Sequence, residues 1–241
     1  GTMLGTGRLV KTGFGAQTLA GSQPNTFTGT TTVQAGTLVL GKSIQKATIV
    51  GPVVVNGGTL AMAANDQFAD TVAVTLNAPG VVDLASTLST IASLDGNGEV
   101  RLGIGTLSVG GGRSTVFSGT MIGAAAPAGL PPERYFRLVK AGLNTFTLTG
   151  TLSLGDQAVV DRGVPTLDTQ LNGRGVIVRN GSSLAGTGRI ASASTLSASA
   201  GGAITRGHGN PGILRADAAA ITGAFLTIQV TGSPAGTGYD Q

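Results

Sequence analysis

Residues 8–21 read RLVKTGFGAQTLAG, and residues 137–150 read RLVKAGLNTFTLTG. Both open Arg-Leu-Val-Lys, carry glycine in the sixth place and close Thr-Leu-x-Gly. A shorter phrase recurs around them: Gly36-Thr37-Leu38-Val39-Leu40-Gly41, Gly58-Thr59-Leu60-Ala61-Met62, Gly105-Thr106-Leu107-Ser108-Val109-Gly110 and Gly150-Thr151-Leu152-Ser153-Leu154-Gly155. In each, apolar residues alternate behind a glycine, which is the period of a half-buried strand. A single short strand between turns, used many times, marks a stacked architecture.

Composition supports that reading. Glycine accounts for 41 of 241 residues, well above the usual ~7%, with no triplet period that would make a collagen. The apolar fraction is 41% and the charged fraction 11%, the opposite of a disordered chain. Val, Ile and Thr are stiff at χ1 and favour pleated surfaces, while glycines every few residues oppose helices. Residues 214–221, LRADAAAI, are the one stretch that reads as a helical turn.

Two all-β arrangements use many short strands: an antiparallel sandwich and a parallel β-helix, or β-solenoid. Sandwich strands run longer and bring aromatics and hairpin dipeptides; here aromatics are 4% and Trp is absent. In a solenoid like residues stack on like, and glycine and asparagine are expected at left-handed corners. The reading is therefore a solenoid, at roughly 20 residues per coil and about eleven to twelve coils, with a length of ~50–60 Å. The chain reads as a single β-helical segment, 1–241, of a longer protein. Residues 124–137, AAAPAGLPPERYFR, hold three prolines and break the pattern as a loop excursion. Between its strand phrase and Gly155 the second copy lacks a segment that the first has before Gly36, so it has lost about one coil or merged two.

The residues resemble a known family. Leu9-Val10-Lys11-Thr12-Gly13, then Thr18-Leu19-x-Gly21, then Asn25-Thr26-Phe27-Thr28-Gly29-Thr30-Thr31-Thr32-Val33, then Gly36-Thr37-Leu38 is similar to the autotransporter-associated β-strand repeat. Thr30 stands where that family commonly has a second glycine, and the second copy matches only the first half of the phrase. Leu184-Ala185-Gly186-Thr187-Gly188, Gly209-Asn210-Pro211-Gly212 and residues 235–241 resemble phrases that follow such repeats. The resemblance implies a right-handed parallel β-helix in a large secreted or surface-displayed bacterial protein, a stalk or adhesin without a catalytic signature. Such passengers are often acidic, whereas this chain has a net charge of +4.

The chemistry-bearing residues are few. There is no cysteine, so disulfides, thiolate metal sites and cysteine nucleophiles are absent. A Ser-His-Asp triad would have to use His208, the single histidine, which sits in the turn-rich Arg206-Gly207-His208-Gly209. Gly207-x-Gly209-x-x-Gly212 formally matches a dinucleotide-binding phrase, but Pro211 falls inside it and no strand-helix-strand unit surrounds it. Glycoside hydrolysis needs paired acids. Asp66 with Asp70 and Asp95 with Glu99 are the pairs that sequence brings close, and both lie in Asx-type turns; Asp95 to Glu99 lacks the oxygen-rich spacing of a calcium loop. Asn180-Gly181-Ser182 is a formal glycosylation sequon that also reads as a turn. Arg134, Arg137 and Lys140 form the one basic cluster, too sparse for nucleic acid, and no run approaches the ~20 apolar residues of a membrane helix.

The expectation is a structural or adhesive module: a stiff β-helical stalk whose Thr-rich faces and 124–137 loop meet host or environmental glycans or matrix. End-to-end self-association, no nucleic acid, no membrane insertion by this segment, and no catalytic, cofactor or metal-binding residues complete it. A β-helical polysaccharide-active enzyme or carbohydrate-binding module remains the alternative.

Overall fold

The computed structural model is a parallel β-solenoid of about ten coils, described for residues 1–129, 136–191, 195–205 and 214–226. Its strands fall into sheets of eight, ten, seven and three strands, and every strand pairing is parallel to the strand one coil away. The sheets make three faces. Face one is the eight-stranded sheet that begins with Leu9–Lys11 and Thr31–Val33. The three-stranded sheet continues it, joined by the bridges Gly163↔Ser182 and Thr166↔Ala185. Face two is the ten-stranded sheet, from Ala16–Gly21 to Arg215–Ala216. Face three is the seven-stranded sheet that begins at Leu88–Ile91; the three earlier coils pass that side through Asn25, Thr48 and Gln67 and the bridge Ile49↔Phe68.

The core follows from register. Leu38, Leu60, Val82, Val100, Met121, Leu152, Leu171 and Ile190 form one inward column on face two, each at most 5% exposed. Each contributes about 1.5–3 kcal/mol by burial. One inward column on face one runs Leu9, Thr31, Val53. Thr31 is fully buried and its hydroxyl finds no hydrogen-bond partner among the described residues. Thr31→Val keeps the shape and removes an unpaired polar group, so it is expected to stabilise by about 1 kcal/mol, measured by urea denaturation.

Several expectations need correction. Coils are longer than 20 residues in the first part: Leu9 stacks on Thr31 and Thr31 on Val53, a step of 22. Thr120 stacks on Thr151, a step of 31, with twelve residues lying between the strands Thr120–Gly123 and Phe136–Lys140. The chain therefore makes about ten coils, and nine inter-coil steps give a length of ~43 Å. Residues 214–221 are not helical: Arg215–Ala216 pairs with Arg189–Ile190, and Ala219–Ile221 pairs with Thr195–Ala198. Stacking on the preceding coil overrides the local alanine preference. Glycine does hold left-handed corners, for example Gly36 and Gly58, but asparagine does not; the non-glycine residues with positive φ are Lys46, Asp66, Ala85 and Ser86 among those described. Asparagine instead stacks: Asn56, Asn77 and Asn97 follow one another at the same corner. There the Asn77 side chain donates to Asn56 Oδ1 at 2.8 Å, and Ala78 N–H donates to Asn97 Oδ1 at 3.0 Å.

The two sequence repeats occupy different sides. Leu9–Lys11 lies on face one and Ala16–Gly21 on face two. Phe136–Lys140 lies on face three and Phe146–Leu148 on face one. From the repeat's closing strand to the next Gly-Thr-Leu strand, the first copy travels a whole coil, from Ala16–Gly21 to Thr37–Lys42 on the same face. The second moves one face, from Phe146–Leu148 to Thr151–Ser153. The second copy has thus lost two of three sides.

Candidate functional site

The acids that sequence places near one another are not assembled into a catalytic pair. Asp95 lies in Ser93–Gly96 on face one, while Glu99 opens Glu99–Gly103 on face two. Each faces a cation: Arg113 lies 3.5 Å from Asp95, and Arg101 Nε lies 2.6 Å from Glu99. Asp70 accepts from Lys46 Nζ at 2.7 Å, and the Asp66 carbonyl accepts from Lys46 N–H. The hydrogen bond to Asp70 and its charge hold the Lys46 ammonium above its ordinary pKa, and Glu99 does the same for Arg101. These are exposed pairs that contribute little to stability. Ser182 of the sequon is buried, its hydroxyl 2.9 Å from the Val160 carbonyl and 2.5 Å from that of Arg179, as a turn residue is. His208 and its neighbours Arg206, Gly207, Gly209, Pro211 and Gly212, together with Glu133, Arg134 and residues 235–241, lie outside the described residues.

The repeat's lysine has a local task that explains its recurrence. Lys11 Nζ donates to the carbonyls of Thr12 at 2.8 Å, Gly13 at 2.7 Å and Ala35 at 3.0 Å. Lys140 Nζ donates to the carbonyls of Ala141 at 2.6 Å and Gly142 at 2.9 Å. In both, the strand ends on an inward lysine whose ammonium returns to cap the turn that follows, and the glycine two residues on takes positive φ. The clamp serves two different corners, after face one at Lys11 and after face three at Lys140, so the phrase occurs on different faces. It also presents the next side chain outward: Phe14 is 97% exposed and Leu143 80%. Burial lowers the Lys140 pKa from its ordinary 10.5. In the window below 10.5 the unfolded chain then binds more protons, so this group's contribution to stability rises with pH. Lys140→Met leaves two carbonyls without their donor, so it is expected to cost about 1–2 kcal/mol. The stability difference from wild type, measured by urea denaturation at ~pH 8 and ~pH 10, should widen at the higher pH.

Arg137 joins Lys11, Lys42 and Lys140 among the buried cations, whereas its counterpart Arg8 is exposed; only stacking brings it to its partner Asp156. Its guanidinium is fully buried: Nη2 meets Asp156 Oδ2 at 2.6 Å, Nε donates to the Ala124 carbonyl and Nη1 to that of Ile104, both at 2.9 Å. Asp156, also fully buried, accepts from Ala126 N–H at 2.6 Å and has Arg174 Nε 3.0 Å from its other oxygen, a charge contact without the alignment of a hydrogen bond. Desolvation pulls the Arg137 pKa down, and Asp156 opposes it. The pair holds Ala124 and Ala126, and Arg137 and Lys140 lie inside the solenoid rather than on its surface.

Among the described residues, those that meet solvent include the outer faces, Ala124, Ala125 and residues 127–129. Val10, Thr32, Val54 and Thr75 form an outward column on face one. Face two carries Asp83, Glu99, Arg101, Arg189 and Arg215 outward. Among the described residues, no three of His, Cys, Asp and Glu gather to hold a metal, and no helix is long and apolar enough to cross a membrane.

Residues 9–40 match the passenger-associated-transport-repeat family. A 121-residue stretch, half of this chain, is 36% identical to the adhesin BmaC autotransporter of Brucella suis biovar 1 (strain 1330). The chain spans 3% of the length of that relative. No solved structure matches. The matched repeat begins on the lysine-clamped strand and ends in the second strand of face two. The chain thus carries a passenger-associated-transport-repeat within a parallel β-solenoid, and over half its length it is similar to an autotransporter adhesin.

Proposed function

We propose that this chain is a structural and adhesive module of a secreted or cell-surface bacterial protein: a stiff β-solenoid stalk that holds contact surfaces at a distance. The observation that carries this reading is the match of a passenger repeat and an adhesin relative to a solenoid in which most of the described charged side chains are engaged in ion pairs or turn-capping hydrogen bonds. The solenoid supplies length, because each coil is hydrogen-bonded to the next and the interior columns run unbroken. The outward faces and the exposed turn tips meet the partner, for which surface glycans or matrix are the chemical class. No reaction is assigned, because the acids face cations rather than one another.

The test is retention of the purified chain on insoluble polysaccharide, extracellular matrix and bacterial cells at physiological salt. Saturable retention on one class, unchanged when Asp66, Asp70, Asp95 and Glu99 are replaced by their amides, is the expected result. Release of soluble sugar that disappears with those replacements would overturn the reading in favour of a hydrolase.

A further inference from the structure

The three faces differ in a way that sequence periodicity conceals. Pairing on face two shifts register between Arg101 and Gly103, and on face three between Phe136 and Leu138. The eight strands of face one pair without such a shift. Its central outward column runs Val10, Thr32, Val54, Thr75, Asp95, Val116 and Thr147, β-branched at every place but one. Val10 is 42% and Val116 49% exposed. The flanking outward columns are small or uncharged polar, as at Thr30, Pro52 and Ala73 on one side and Gln34, Asn56 and Asn77 on the other. Charge enters these three columns only at Arg8, Asp95 and Asp168 among the described residues, and Asp95 lies 3.5 Å from Arg113.

A straight, in-register, nearly uncharged sheet face of alternating Val and Thr is the surface that packs against another of its kind. Two such faces approach to ~10 Å and interdigitate their side chains, and β-branched residues of low charge make that contact dry. We infer that face one is a side-to-side docking surface for a second copy of this chain. Charge leaves a like partner unopposed at this face, since the net +4 of the chain is carried elsewhere. Area suits a weak contact. Six inter-strand steps from Val10 to Thr147 and three outward columns give a plane of roughly 29 Å by 14 Å, about 400 Å² per copy and about 800 Å² for a pair. That total lies below the standard size of a stable interface, so the contact is weak between free molecules. It is multiplied where copies stand side by side on one surface, which rests on the proposed surface display; the pairing of free copies does not.

The test is sedimentation velocity with light scattering over a wide concentration range, on wild type, Val54→Lys, Thr75→Lys and Ile122→Lys. Residues 54 and 75 lie in the face-one column and Ile122 points outward from face two, 44% exposed. All three positions are on the outside, and circular dichroism and thermal unfolding verify that each variant folds. Wild-type mass is expected to rise from 23.6 kDa toward twice that value with concentration. Val54→Lys and Thr75→Lys should each weaken the association at least about tenfold, and Ile122→Lys should leave it unchanged. A wild type that stays at 23.6 kDa throughout would overturn the inference. So would association lost in Ile122→Lys but kept in the face-one variants, or open-ended oligomers that ignore all three. Retention on glycan or matrix is read separately, so failure of the pairing leaves the adhesive reading standing and the reverse also holds.

Discussion

Gly150→Ala is expected to destabilise the chain by about 3 kcal/mol or more. A methyl group at Gly150 would sit 1.9 Å from the Gly119 carbonyl oxygen and 2.5 Å from the Ser118 carbonyl. These are backbone atoms of the coil above, so nothing can rotate aside and the coils must part. Parting them stretches the bonds on either side, from Thr149 N–H to the Phe117 carbonyl at 3.1 Å and from Thr151 N–H to the Gly119 carbonyl at 3.0 Å. The same corner repeats the constraint, since a methyl at Gly119 would meet the Gly98 carbonyl oxygen at 2.0 Å. Gly15→Ala is the control: nothing lies within 4 Å of its methyl position, and its effect should stay within about 0.5 kcal/mol. Urea denaturation of the three proteins decides it, and equal stability of Gly150→Ala and Gly15→Ala would show that the coils are not stacked as described.

The second large effect is at the buried ion pair. Arg137→Met leaves the Asp156 carboxylate fully buried with Ala126 N–H and the contact from Arg174, and it strips the donors from the Ala124 and Ile104 carbonyls. Removing one partner of a buried pair costs about 3–5 kcal/mol, because the other charge remains in the interior. The double variant Arg137→Met/Asp156→Leu should be less destabilised than the sum of its single changes, with a coupling of about 2 kcal/mol or more. Arg137→Met should also open residues 124–129 to limited proteolysis, since Ala124 and Ala126 are held by this pair. Additive single effects, or unchanged proteolysis, would remove its assigned role in seating the excursion.

The residues explain what was legible and what was not. Strand alternation in Thr37-Leu38-Val39-Leu40 and Thr151-Leu152-Ser153-Leu154 places Leu38, Leu40, Leu152 and Leu154 inside, where they are fully buried. Glycine phrases mark the corners, and the scarcity of aromatics favours stacked coils over a sandwich. The repeat itself misleads about position, because a lysine followed two residues later by glycine caps its own turn at two different corners. Sequence similarity therefore reports the clamp and not the face. Arg8 and Arg137 read alike, yet one is exposed and the other fully buried, since Asp156 arrives from 19 residues downstream and only stacking brings it there. The same dependence on the neighbouring coil turned residues 214–221 into two strands. The outer surface was least legible: which columns align into a flat face depends on register, and register depends on coil lengths that vary from 18 residues between Val81 and Glu99 to 31 between Thr120 and Thr151.

The stacked solenoid is tested most directly by one distance. The chain has no cysteine, so Thr32→Cys/Thr147→Cys takes two spin labels at outward positions of face one for a pulsed electron resonance measurement. Their residues are joined through Val54, Thr75, Asp95 and Val116, which makes five inter-coil steps and an expected backbone separation of ~24 Å. A single narrow distribution near that value supports in-register stacking with the excursion held outside the coil count. A distance about 5 Å longer would mean that the excursion forms a coil of its own, and a broad or unrelated distribution would contradict the solenoid.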